Sequence, residues 1–161
     1  MFTCQTAPRA LARAISLTLG ITSLPVMAID YTWVGGSGDW DTTSNWDPDG
    51  LPQWWGDSAT IQSFDASDWI VTYSSAMPGY FDALTLNASH TGNLTLDLSG
   101  SSLDVGEFVV GSTGHAQAVH TGTSVLAGNV VVGRHAGSSG SYQLSGGYLG
   151  GGDLRIGEEA G

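Results

Sequence analysis

From Asn93 onward, apolar and polar residues alternate in short bursts separated by Gly, Ser and Asn. Asn93-Leu94-Thr95-Leu96-Asp97-Leu98 switches at every position, and so does Asp153-Leu154-Arg155-Ile156-Gly157. A period of two marks strands, whose side chains point to opposite faces in turn. Arg155 belongs in water, so Leu154 and Ile156 are predicted to point inward. The bursts themselves recur. Residues 98–111 (LSGSSLDVGEFVVG), 120–133 (HTGTSVLAGNVVVG) and 144–157 (LSGGYLGGGDLRIG) align without gaps at offsets of 22 and 24 residues. Glycines fall into columns: Gly100, Gly122 and Gly146; Gly106, Gly128 and Gly152; Gly111, Gly133 and Gly157. Apolar columns run beside them: Leu103, Val125 and Leu149, then Phe108, Val130 and Leu154, then Val110, Val132 and Ile156. The alternation carries through these columns, so Phe108, Val110, Val130 and Val132 are predicted inward. Val109 and Val131 then face water.

Units of this length predict coils that stack on one another. The predicted fold class is all-β, a parallel β-helix (β-solenoid) with an aromatic-rich N-terminal cap. Hairpins in a flat antiparallel sheet would not produce columns at this spacing. A second strand per unit is clear at 93–98 and weaker around Ala116–His120 and Tyr142–Leu144. Leu84-Thr85-Leu86-Asn87 matches Phe108-Val109-Val110-Gly111 at an offset of 24. There Asn87 replaces a corner glycine, and asparagine is among the few residues that tolerate the left-handed region. The repeats are therefore assigned to residues 84–161. They stop mid-unit with no polar cap, which predicts an N-terminal fragment of a longer protein.

The start of the chain reads differently. Arg9 and Arg13 precede a short apolar run, Ala14 to Leu24, and Val26-Met27-Ala28 supplies small or apolar residues for cleavage. Residues 1–28 are read as a secretory signal peptide. Its removal changes the charge. All 15 acidic residues lie beyond position 28 and only Arg134 and Arg155 remain of the four basic ones, so the mature net charge is −13. There is no lysine, and the single cysteine, Cys4, leaves with the leader. Such a chain offers almost nothing to neutralise phosphates, which excludes nucleic acid and anionic lipid as partners. Residues 29–62 are rich in Trp, Asp and Gly, and 63–83 form a transition, so 29–83 is read as cap and transition.

Trp33-Val34-Gly35-Gly36-Ser37-Gly38-Asp39-Trp40, followed by Asn45-Trp46, Leu51-Pro52 and Gly56-Asp57-Ser58-Ala59, resembles the opening of bacterial autotransporter-type and PEP-CTERM-associated repeat proteins. Residues 131–157 are similar to the β-strand repeat that both groups share. The resemblance covers 31–161. It implies a right-handed β-solenoid exported by a Gram-negative bacterium to its surface or surroundings. It also implies a further C-terminal region carrying either an outer-membrane β-barrel or a short sorting tail.

Two clusters are candidates for chemistry. Trp33, Trp40, Trp46, Trp54 and Trp55, with Tyr31 and Trp69 nearby, could stack on sugar rings or could seal the first coil; sealing is the commoner use. Asp39, Asp41, Asp47 and Asp49, with Asp57, have the oxygen density of a Ca²⁺ site but lack an EF-hand loop. No other cofactor is indicated. His120 occupies the column of Leu98 and Leu144 and reads as a hydrogen-bonded inward or corner residue, whereas His115 and His135 read as turn residues. Parallel β-helices include polysaccharide lyases and hydrolases, but two arginines are scant machinery for a uronate, and no carboxylate pair stands out by spacing. The expected function is structural and adhesive display with no enzyme activity, the partner being an extracellular glycan or matrix surface. Carbohydrate binding or degradation through the Trp/Asp-rich region is the alternative.

Overall fold

The structure, a computed structural model, describes residues 27–75 and 78–159. All but the last two residues of the 1–28 leader lie outside that range. Twelve strands and one short 3₁₀ turn (Thr43–Asn45) account for the regular structure, with no α-helix among the described residues. The strands are β1 (Asp30–Trp33), β2 (Gly38–Asp39), β3 (Trp46–Asp47), β4 (Ser58–Ser63), β5 (Trp69–Tyr73) and β6 (Gly79–Ala88). They continue as β7 (Leu94–Leu98), β8 (Leu103–Val110), β9 (His115–His120), β10 (Ser124–Val132), β11 (Ser139–Leu144) and β12 (Tyr148–Ile156).

Two parallel ladders run the length of the molecule. One is β1–β4–β6–β8–β10–β12. The other is β2–β5–β7–β9–β11. Each coil gives one strand to each ladder, so the chain winds as a β-solenoid. The register reproduces the sequence columns: Leu84 pairs with Phe108, Phe108 with Val130 and Val130 with Leu154. The columns also reach further back than residue 84. Tyr31 pairs with Ala59 and Ala59 with Leu84, and residue 84 itself lies inside β6. The Trp/Asp/Gly-rich opening and the transition thus already belong to the ladders. Their apolar columns are less regular, which hides the period in the sequence.

The core is one connected cluster of apolar side chains between the ladders. Ile61, Phe81, Leu84, Leu86, Leu96, Leu98, Leu103, Phe108 and Val110 have no measurable exposure. Ladder pairing in the longer strands skips one position per coil, at Asp82, Gly106, Gly128 and Gly152, and resumes on the other side. At Gly128 a Cβ would overlap the carbonyl oxygen of Gly106 one coil below. Backbone cannot retreat as a flexible side chain can. Gly128→Ala is therefore expected to cost about 1–3 kcal/mol in a urea melt, and a change within error would show that the coils can slide apart there.

The corner glycines behave as the sequence predicts: φ is +78° at Gly111, +72° at Gly133 and +67° at Gly157. Asn87 does not. No described non-glycine residue has positive φ. Asn87 is buried and caps the next coil with its side chain instead. Its Oδ1 accepts from the N–H groups of Thr113 (3.0 Å) and Gly114 (2.7 Å), and its Nδ2 donates to Thr113 Oγ1 (3.1 Å).

Val109 and Val131 depart from expectation as well. The alternation holds, because neither belongs to the connected core cluster that contains Phe108, Val110, Val130 and Val132. Yet Val109 is only 1% exposed and Val131 0%. On the same face, Arg134 reaches across coils to Glu107 and Glu158. Outward here does not mean wet. At the last described coil the reverse is seen: Leu154 and Ile156 continue the inward columns of Val130 and Val132 but are 58% and 77% exposed. Register fixes their direction, whereas burial needs a coil on both sides.

Candidate functional site

The N-terminal end is closed by β3, which pairs antiparallel to β1 through Thr32–Asp47 and Trp33–Trp46. This places three indoles together. The Trp46 ring lies edge-on to Tyr31, Trp33 and Trp40, with centroids 6.3, 5.0 and 4.7 Å away. Trp40 continues the stack to Tyr73 (5.3 Å) and Phe81 (5.9 Å) in the coils below. Edge-to-face packing suits the charge distribution of aromatic rings. The indole N–H groups are satisfied too, Trp33 Nε1 donating to the Gly36 carbonyl (2.7 Å) and Trp46 Nε1 to that of Trp40 (2.9 Å). Trp33, Trp40 and Trp46 are each 2% exposed. Of the five candidate tryptophans these three form the cap, and none presents a free face to a sugar.

Trp54 and Trp55 are separate, at 63% and 57% exposed. They sit on a tight turn held by Asp57, a residue sequence reasoning grouped with the acidic cluster. Asp57 is 2% exposed. Its Oδ2 accepts from the N–H groups of Gln53 (3.3 Å) and Trp54 (3.1 Å), and its Oδ1 from that of Ile29 (3.1 Å). Its own N–H donates to the Trp54 carbonyl at 2.9 Å. Gly56 N–H donates to Asp82 Oδ1 in the next coil at 3.0 Å. The turn is pinned from both sides, so the two rings are held out without a loop to fold them back. The only sequence sign of this is the Gly56-Asp57 pair at a strand start, since aspartate often bonds nearby backbone N–H groups there.

Beside this turn is a cavity of about 240 Å³ lined by Trp40, Asp41, Leu51, Pro52, Gln53 and Tyr73 among others. Its floor is rigid. Tyr73 is 1% exposed, its hydroxyl accepts from Gly79 N–H (3.1 Å) and donates to the Ser102 carbonyl (3.0 Å), and burial pushes its phenol up to about 12. Burial, with a smaller contribution from the Asp57 charge, also raises Tyr31.

Asp39, Asp41, Asp47 and Asp49 are all exposed. Asp39 is already engaged, Oδ1 accepting from Asp41 N–H (2.8 Å) and Oδ2 from Ser74 Oγ (3.2 Å). No three His, Cys, Asp or Glu side chains among the described residues are grouped so as to hold a metal ion. The structure does not gather these four aspartates into a Ca²⁺ cage.

His120 lies inward with no exposure. Its ring bonds the Thr123 carbonyl through Nε2 and the Tyr142 hydroxyl through Nδ1 (2.9 Å), and one tautomer satisfies both. Burial raises the Tyr142 phenol, which keeps its proton available to the ring. His115 bonds the Gly92 carbonyl at 2.6 Å and His135 meets Glu159 at 2.8 Å. The two arginines among the described residues are paired, Arg134 with Glu107 and Glu158, Arg155 with Asp153 and Glu158.

The fold and its sealed end define a β-solenoid with an aromatic cap. Comparison with known proteins goes no further: no family model, curated protein or solved structure matches the chain. Among the described residues no helix is long and apolar enough to cross a membrane, which says nothing of β-barrels.

Proposed function

We propose that this chain is the N-terminal part of an exported β-solenoid that serves as a rigid display scaffold at the cell surface. The observation that carries the reading is the continuous in-register core, closed at its N-terminal end by Trp33, Trp40 and Trp46. A stack of this kind repeats whatever its outer face carries, so individually weak contacts add along its length. The acidic residues on that face favour its hydration. Processing of the leader, presentation outside the cell and an adhesive role all belong to this proposal.

A second observation favours glycan contact over a purely structural role: Trp54 and Trp55 stand exposed on a pinned turn beside an apolar cavity. Binding sites combine apolar walls with a few fixed polar groups, and here Asp41 and Gln53 would supply the latter. Neutral sugars fit better than uronates, because the two described arginines lie on the far coils and are paired.

The test is retention of protein-coated beads on films of neutral and anionic polysaccharides. Wild type is expected to hold on neutral films, and Trp54→Ala/Trp55→Ala to lose about thirtyfold, the effect of roughly 1 kcal/mol for each of the two contacts. Trp40→Ala is the wrong probe, since it removes a core ring. Equal retention by wild type and the double variant would sink the glycan reading. Saturable release of sugar from any film, abolished by one carboxylate substitution, would overturn the scaffold reading itself.

A further inference from the structure

Asp57 is the one nearly inaccessible carboxylate among the described residues, and its three partners are all backbone N–H groups. No basic side chain in the described residues pairs with it. A carboxylate kept from water without a countercharge is costly. The chain has no lysine, and its two described arginines are committed to glutamates and an aspartate on β8 and in and beyond β12. One partner stands out: Ile29, whose nitrogen lies 3.1 Å from Asp57 Oδ1, is the residue immediately after the leader cleavage point read from the sequence.

We propose that cleavage after Ala28 turns the Ile29 nitrogen into an α-ammonium group that docks on Asp57, so that leader removal completes the N-terminal end of the solenoid. The inference rests on the export reading above. The covalent step is hydrolysis by a leader-cleaving endopeptidase. Water adds across the Ala28–Ile29 amide, its oxygen ends in the Ala28 carboxylate of the departing leader, and both its protons end on the Ile29 amine. The docking position needs no search. Ile29 is already fixed on the other side by its carbonyl, which accepts from Ser58 N–H at 2.9 Å. Ala28 packs over Gly56, whose Cβ position lies 3.3 Å from the Ala28 Cβ, so its departure opens space for the amine's additional protons. Once docked, the ammonium ties β1 to the Trp54–Trp55 turn by charge as well as by hydrogen bond.

The pairing has a direction with pH. A free α-amine titrates near 7.7–8.0, and the Asp57 carboxylate raises that value in the folded protein. The stabilisation is therefore complete below about pH 7.7 and is lost as pH rises through the higher, docked value. Asp30, Asp82 and the Tyr31 phenol are the other titratable groups around this corner. Tyr31, raised by burial, titrates above the window.

Because the mature chain lacks lysine, its α-amine is the single primary amine in residues 29–161. Reductive methylation with ¹³C-formaldehyde then gives one NMR signal that reports only this group. Two preparations separate the two ideas. The chain exported with its own leader gives the cleavage point by intact mass: no cleavage defeats the export reading, and cleavage elsewhere overturns the proposal. The same residues released in vitro from a fusion, with Ile29 first, test docking directly. The amine is expected to titrate above the ordinary α-amine range and to return to it in Asp57→Asn. Should Asp57→Asn fail to fold, a form that retains Ala28 serves instead. It should melt about 3–6 °C below the Ile29-first form at pH 6.5, with the gap closing in alkali. An ordinary titration in the wild type, or no gap in melting temperature, would overturn docking.

Discussion

Replacing Trp46 by alanine is expected to cost about 3–5 kcal/mol, in the range of large-to-small aromatic changes in a core. Trp46 is the hub of the N-terminal seal: 2% exposed, edge-on to Tyr31, Trp33 and Trp40, and in register with Trp33 across the β1–β3 pair. Its loss opens a cavity that the two neighbouring indoles cannot close, because both are fixed elsewhere. Trp33 Nε1 is bonded to Gly36, and Trp40 packs against Phe81 and Tyr73. The Trp40 carbonyl also loses its donor, and an orphaned buried acceptor adds to the cost. Urea melts followed by near-ultraviolet circular dichroism would read it. A loss below about 1 kcal/mol, the range of ordinary surface changes, would mean that the aromatic cluster does not seal the first coil.

Val109→Asp should be almost as damaging as Val110→Asp, each destabilising by more than about 3 kcal/mol, the scale for an uncompensated charge taken out of water. Val110 is the conventional case, in the core with no exposure. Val109 is the informative one. It lies on the opposite face of β8, paired with Thr85 and Val131, yet is 1% exposed. It is a cleaner site than Val131, whose register neighbour Arg155 could partly compensate a carboxylate. Glu107, two residues away on the same face, would repel the new charge and already holds Arg134. If Val109→Asp stays within about 0.5 kcal/mol of wild type, as an exposed substitution would, the outer face is open to water.

Much of the fold is legible in the sequence because its cues are local. Alternation sets which way Phe108, Val110, Val130 and Val132 point. Recurrence at 22 and 24 residues sets which of them pair, and Gly111, Gly133 and Gly157 mark the corners. Even the sealing role of Trp33, Trp40 and Trp46 follows from a solenoid's need to cover its first coil. Where the apolar columns lose their regularity, between residues 30 and 83, the period is invisible although the ladder continues. The site was harder to read. Five tryptophans look alike in sequence, and nothing local separates the three that pack under β3 from Trp54 and Trp55 on the Asp57 turn.

From residue 84 on, the sequence by itself determined the architecture, the register and the direction of the column side chains, since these depend on residues close along the chain or repeated at fixed spacing. Only the tertiary structure decided what is dry. Val109 and Val131 point outward and are buried, and Asp57 leaves the acidic surface to hold Ile29, Gln53 and Trp54 from inside. The reason is physical: direction is set by the backbone of one strand, but burial is set by whatever packs against it from elsewhere in the chain.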